Sequence, residues 1–265
     1  MQYANIHTHT TFSDGKNTPE EMILKAIELG FSSIGISDHS ETAFDSAYCM
    51  GADAYASYRK SINELKEKYG DRIDVLCGIE RDSYSPVPCE GFDYIIGSVH
   101  YILYGGEHLP VDLSLDAQTD PIRRYFREDK MEYARRYYDL VAEHALRKDF
   151  EVLGHFDLLN KFGLFSDCTE EYRAIALEAL DACLSAVPYI EMNTGAISRG
   201  YKAVYPDDFF LRRILEKGGK IVLNGDSHSA QALDCHFDAS VAKLKEIGFA
   251  SLWQLGKNGW HEVLI

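Results

Sequence analysis

Residues 5–39 read NIHTHTTFSDGKNTPEEMILKAIELGFSSIGISDH, and the architecture can be worked out from here. The stretch opens as the end of a strand, residues 5–8, and closes in a short β-rich run, SSIGISDH. Between them Thr18-Pro19-Glu20-Glu21 starts a helix, with a threonine N-cap, proline in the first turn and glutamate three residues after the cap. Gly30 ends it. Strand, capped helix and strand form a βαβ unit, the building block of parallel sheets.

The alternation continues along the chain. Residues 55–69 have helical period and close at Gly70. IDVLCGIE (73–80) and FDYIIGSVH (92–100) are the third and fourth strands. One long helical stretch, rich in Arg, Tyr and Glu, is expected over 121–148. FEVLGHFD (150–157), PYIEMNTG (188–195) and KIVLNGDSH (220–228) follow as strands, separated by helices over 169–186, capped by Thr169, and 207–217, ended by Gly218-Gly219. A helix over 238–247 precedes a short tail. Strands alternating with helices over 265 residues predict an α/β parallel sheet closed into a barrel, with an open doubly wound sheet as the alternative from pattern alone. No repeat, low-complexity run or linker divides the chain, so residues 1–265 are expected to form a single domain.

Barrel enzymes build their sites at the C-terminal ends of the strands. Here those ends carry His7 and His9, Asp38-His39, Glu80, His100, His155, Asn193, then Asp226 and His228. Side chains alternate along a strand, so His7 and His9 point to one side, as do Asp226 and His228. Asp14 follows in the first loop and can reach back. Imidazole with carboxylate suits Zn, Fe or Mn better than Ca or Mg. Nine candidates, His7, His9, Asp14, His39, Glu80, His100, His155, Asp226 and His228, exceed the four of a tetrahedral zinc site. Two or three divalent ions are therefore expected, with Glu80 able to bridge two. His108 in a Gly-rich loop, His144 in a charged helix and His261 in the tail are expected to be ordinary packed or solvent-facing histidines, and His236 a pocket candidate.

Bulk properties narrow the classes. The 27 Lys and Arg against 42 Asp and Glu leave a net charge of −15, which disfavours nucleic-acid binding. The opening MQYANIHTH lacks the basic and apolar regions of a signal peptide, and no run approaches the roughly 20 apolar residues of a membrane helix. A cytoplasmic protein with no membrane contact is expected. Six cysteines, Cys49, Cys77, Cys89, Cys168, Cys183 and Cys235, include no C-x-x-C pair, and they are expected as free thiols, with Cys77 and Cys183 in the core.

These residues resemble the PHP family, named for polymerases and histidinol phosphatases. The resemblance rests on six ordered motifs: HTH with the following SDG, ISDH, GIERD, GSVH, GHFD and GDSH, running from His7 to about Phe237. It implies a distorted (β/α)7 barrel with up to three metals. The implied sets are His7, His9, Glu80 and Asp226 for one ion, Glu80, His100 and His155 for a second, and Asp14, His39 and His228 for a third. GSVHYI, GHFDLLNKFG and EMNTGAISRG resemble the stand-alone histidinol phosphatases most. That implies a metal-dependent phosphomonoesterase acting on L-histidinol phosphate, in histidine biosynthesis, through a metal-bridging hydroxide held by Glu80 and Asp226. Arg199, just past strand six, is the expected clamp on the substrate phosphate, because a guanidinium fork meets phosphate bidentately. Lys161 is a second candidate cation, with a solvated surface lysine as the alternative. Asp112 is a candidate for the substrate's amine or imidazole, or else a loop or cap residue. Asp226 and His39 are both candidates to protonate the leaving group. The rival functions are a phosphoesterase of nucleotides or phosphotyrosine, an amidohydrolase-like hydrolase and a silent metal-binding module. Metal identity and oligomeric state are left open.

Overall fold

The computed structural model describes every residue except Cys168 and Ala203. Seven parallel strands form the main sheet: β1 (Ala4–Asn5), β2 (Ser33–Ile36), β3 (Asp74–Asp82), β4 (Tyr94–Ser98), β7 (Val152–Leu153), β8 (Tyr189–Asn193) and β9 (Lys220–Asn224). They lie side by side in chain order. The helices between them are α1 (Pro19–Glu28), α2 (Tyr55–Tyr69), α3 (Leu115–Tyr125), α4 (Lys130–Leu146), α5 (Glu170–Ala186), α6 (Gly195–Ser198) and α7 (Asp208–Glu216). The capping box is formed: the Thr18 side chain accepts from Glu21 N, and Glu21 Oε2 accepts from Thr18 N at 2.8 Å.

The seam between the first and last strands decides between barrel and open sheet. Two asparagine side chains stand in for ladder bonds there, Ile6 N donating to Asn224 Oδ1 at 3.0 Å and Gly225 N to Asn5 Oδ1 at 3.1 Å. Above them Thr8 and Ser227 form a parallel bridge, with His9 N donating to Ser227 O at 3.0 Å. The sheet thus closes into a distorted (β/α)7 barrel, and the open doubly wound alternative is excluded. The first strand is shorter than expected, ending at Asn5, because beyond it asparagine side chains take the place of the backbone ladder bonds.

Alternate strand residues fill two spaces. Ile6, Leu76, Tyr94, Ile96, Val152, Tyr189 and Val222 point into the barrel, while residues such as Val75, Ile95, Ile190 and Ile221 pack against the surrounding helices. Tyr94 crosses the interior and donates its hydroxyl to Ile6 O, taking the room left by the missing side chains of Gly35 and Gly78.

Three sequence expectations need correction. The long helix of 121–148 is two helices. α3 starts earlier, with Ser114 accepting from Ala117 N at 3.0 Å, and Pro121 lies inside it. Arg127 and Glu128 then take left-handed φ of 53° and 67°, and Asp129 caps α4 by accepting from Met131 N and Glu132 N. No Gly or Pro marks that break. His108 is not in a loop but on β6 (Glu107–Pro110), which pairs with β5 (Tyr101–Tyr104) around Gly105-Gly106. The tail is a second hairpin, β10 (Ser251–Gly256) and β11 (Gly259–Leu264), following α8 (Phe237–Ile247). Leu255 enters the barrel cluster and Trp260 stacks on Tyr189 with centroids 3.8 Å apart, so the hairpin closes the end opposite the ligands.

Cys77 and Cys183 are buried, and no disulfide forms among the described cysteines; Cys168 lies outside the described residues. No helix among the described residues is long and apolar enough to cross a membrane.

Candidate metal centre

All nine sequence-predicted ligands converge at the C-terminal ends of the strands. Glu80, buried on β3, is the hub. His155 Nε2 lies 2.9 Å and His100 Nε2 3.3 Å from its Oε1, and His7 Nε2 is 3.3 Å from the same atom. Its Oε2 lies 2.7 Å from His39 Nδ1 and 3.6 Å from His9 Nε2. Asp226 Oδ1 stands 3.2 Å from His9 Nε2 and 4.0 Å from His7 Nε2. Asp14 Oδ1 stands 3.2 Å from His228 Nε2 and 3.7 Å from His39 Nε2. His9 is stacked between His39 and His228, with centroids 4.1 and 4.2 Å away, so it adjoins the third set as well as the first.

Do these residues fit divalent ions? Buried polar atoms are normally paired. Here His7 Nε2, both nitrogens of His9 and His155 Nδ1 have no hydrogen-bond partner. Their ligand atoms fall into four overlapping groups, each within 4.8 Å: His9, Asp14, His39 and His228; His7, His155 and Asp226; His7, His9 and Glu80; His39, Glu80 and His100. Unpaired imidazole nitrogens grouped with carboxylate oxygens are the arrangement divalent cations take.

The electrostatics agree. Burial works against ionising Glu80, but the imidazoles of His39, His7 and His100 outweigh it and hold its carboxyl well below the usual range. Burial, with His39 and His228 beside it, pushes His9 well below an ordinary histidine, so its ring is neutral. Asp226 is held well below the carboxylate range, where Arg199, His7 and His9 overcome the cost of burial. Asp226 adopts a left-handed φ of 43°, a conformation aspartate tolerates better than most residues.

Arg199 joins the centre from the end of α6. Its Nη2 donates to Asp226 Oδ2 at 2.8 Å, and its Nη1 lies 3.3 Å from His228 Nδ1. Lys161 is not a solvated lysine. Its side chain is only 9% exposed, and the ammonium donates to Asp112 O at 2.8 Å and Asp112 Oδ2 at 2.9 Å. Asp112 is not a helix cap; Val111 N donates to His100 O at 2.9 Å, which sets Asp112 beside that histidine, and Lys161, His100 and Arg199 keep its carboxyl below the usual range against the cost of burial.

The remaining histidines separate as follows. His144 is fully buried, with Nε2 3.3 Å from Arg81 O. His108 stacks on Phe44 at 3.6 Å, and His261 sits on the exposed hairpin strand β11. His236 is exposed with a left-handed φ of 66°, and lines a cleft of about 940 Å³ with Asp157, Lys161, Tyr205 and Ser240, whose lining includes none of the nine ligands.

Three acids behind the ligands were not singled out from sequence. Asp82 lies 3.2 Å from His100 Nδ1. Asp38 is not a ligand; it accepts from Thr10 N at 2.7 Å and Ser13 N at 3.1 Å and so shapes the first loop. Glu191, on β8, accepts from four groups at once, His7 Nδ1 among them. Its signal was present: Glu191 and Asn193 alternate in EMN, on the face that carries the other ligands.

Similarity to known proteins runs along most of the chain. A Schizosaccharomyces pombe protein named "Probable histidinol-phosphatase" is 26% identical over 266 residues, covering 90% of this chain and 84% of the relative. A Deinococcus radiodurans protein of the same name is 27% identical over 253 residues, covering 91% and 92%. The crystal structure of histidinol phosphate phosphatase from Lactococcus lactis, complexed with Zn, L-histidinol and phosphate, superposes with a TM-score of 0.73 at 22% identity, over 98% of this chain and 99% of that one. That superposition speaks for the barrel. The family model described as PHP domain matches residues 5–195, which hold seven of the nine converging ligands, and the chain belongs to the PHP domain family.

Proposed function

We propose that the protein is a metal-dependent phosphomonoesterase that hydrolyses L-histidinol phosphate to L-histidinol and phosphate. The observation that carries this reading is the buried Glu80 carboxylate ringed by imidazoles with unpartnered nitrogens, with the Arg199 guanidinium at its edge. Two relatives named as histidinol-phosphatases, aligned over about nine-tenths of the chain, support the choice of ester. Two or three divalent ions (Zn, Fe or Mn) are taken as the cofactors, held in the sets His7, His9, Glu80 and Asp226; Glu80, His100 and His155; and Asp14, His39 and His228. We take residues 1–265 as one catalytic unit in the cytoplasm.

When bound, such ions neutralise phosphate charge and lower the pKa of water towards neutrality. The chain's own residues do the rest. Arg199, already turned to Asp226 and His228, offers its fork to the non-bridging phosphate oxygens and offsets charge in the transition state. Asp226 is ionised and held so by Arg199, so it has no proton to give to the leaving alkoxide. Asp112, backed by Lys161, presents a carboxylate at the rim for the cationic end of the substrate.

The test is phosphate release from L-histidinol phosphate, beside phosphotyrosine and nucleoside monophosphates, with Zn-, Fe- or Mn-loaded protein and a chelator-stripped control. Selective, metal-dependent release from histidinol phosphate is expected. Selective release from another ester overturns the substrate, and no release from any ester by metal-loaded protein overturns the phosphatase.

A further inference from the structure

Glu191 is buried on all sides at the floor of the centre. Its Oε1 lies 2.7 Å from His7 Nδ1 and accepts from Asn224 Nδ2 at 2.9 Å. Its Oε2 accepts from His155 N at 2.8 Å and Asn193 Nδ2 at 2.9 Å. Neither asparagine can turn its oxygen towards Glu191, because Asn193 Oδ1 is held by Gly195 N at 2.8 Å and Asn224 Oδ1 by Ile6 N at 3.0 Å. The His155 N–H is backbone and has no alternative role. Three of the four neighbours are therefore fixed donors, and they take three of the roughly four acceptor sites of a carboxylate.

We infer that Glu191 is the positioning residue that fixes the His7 tautomer and locks two ligand sets together. The only neighbour with a choice is His7. Facing an acceptor-only oxygen, it places its hydrogen on Nδ1 and leaves the Nε2 lone pair free, and Nε2 is the unpartnered atom turned to Glu80 and Asp226. Through the backbone of His155 the same carboxylate sets the ligand of the second ion. One buried side chain thus anchors the first and second sets and touches no member of the third. This rests on the ligand sets proposed above.

Partners behind a ligating histidine typically contribute about 10–100-fold in metal affinity. Glu191→Gln would keep the shape but point an N–H pair at two fixed donors, or at His7 Nδ1. Titration of Zn²⁺ into chelator-stripped protein, with a competing indicator, reads each ion separately. The expected result for Glu191→Gln is two ions weakened together by about 10–100-fold and the ion of Asp14, His39 and His228 unchanged. Asp82→Asn, behind His100 alone, should weaken one. Visible absorption of the Co²⁺-loaded protein should change in Glu191→Gln while the far-ultraviolet circular dichroism stays as in the parent. If Glu191→Gln does not fold, Glu191→Asp, which keeps the charge and draws it away from His7, decides by the same titration. Unchanged affinity for both ions in the folded variant overturns the role of Glu191 and leaves the ligand sets standing. A parent protein that takes up no Zn²⁺ overturns the sets themselves.

Discussion

In the proposed function, phosphate recognition turns on Arg199. It lies at the C-terminal end of a four-residue helix, and its fork is aligned by Asp226 before any substrate arrives. Arg199→Lys keeps the charge and loses the fork, and should lower kcat/KM by about 100-fold or more, with weaker inhibition by inorganic phosphate. Equal kcat/KM and equal phosphate inhibition in the variant would remove Arg199 from the clamp. The nine converging side chains were legible at this scale because strand period and loop position make a histidine or acid at a strand end distinctive. The acids behind them were not. Whether Glu191 faces a cation or a ring of N–H donors depends on neighbours just past β1 and β7 and on β9, and no local pattern encodes that meeting. Lys161 shows the same limit, since its partner Asp112 lies 49 residues away.

At the scale of elements, caps and breaks decided what could be read. The Thr18 capping box and the alternating strands emerged as expected because their signals are short-range. The break between α3 and α4 uses left-handed Arg127 and Glu128 in place of glycine, so only the Asp129 cap could have announced it. The C-terminal hairpin reads as a tail because its apolar residues find their partners inside the barrel, on strands far away in sequence. The interior also explains two glycines. A methyl group at Gly78 would run into the Tyr94 ring, which is itself fixed by Ile6 O. Gly78→Ala should destabilise the fold by about 1–3 kcal/mol in urea unfolding, whereas Gly51→Ala, with open space around it, should change little. Equal losses at both positions would contradict the crossing of the barrel by Tyr94.

At the scale of the whole molecule, acid sensitivity has a source outside the ligands. Burial pushes His144 down to about 4, from an ordinary 6.5. The unfolded chain therefore binds more protons than the folded one between those values. Its contribution to stability is present above pH 6.5 and is lost as pH falls towards 4, by about 3 kcal/mol at most. His144→Gln should flatten the fall in stability between pH 7 and pH 5 relative to the parent, as read from denaturant midpoints. A parallel fall in both proteins would assign the acid limb elsewhere.

The seam between β1 and β9 carries a consequence for chain topology. His7 follows the first strand and Asp226 follows the last, yet both belong to the first proposed ligand set. A cation between them would act as a removable crosslink between the first and last strands of the barrel, closing a loop that spans every strand. Each site held at 100 times its Kd adds about 2.7 kcal/mol to folding. Chelator-stripped protein should therefore unfold at lower urea and be cut faster by protease, with restoration on adding metal back. The ions proposed for chemistry would also be the rivet that keeps the barrel shut.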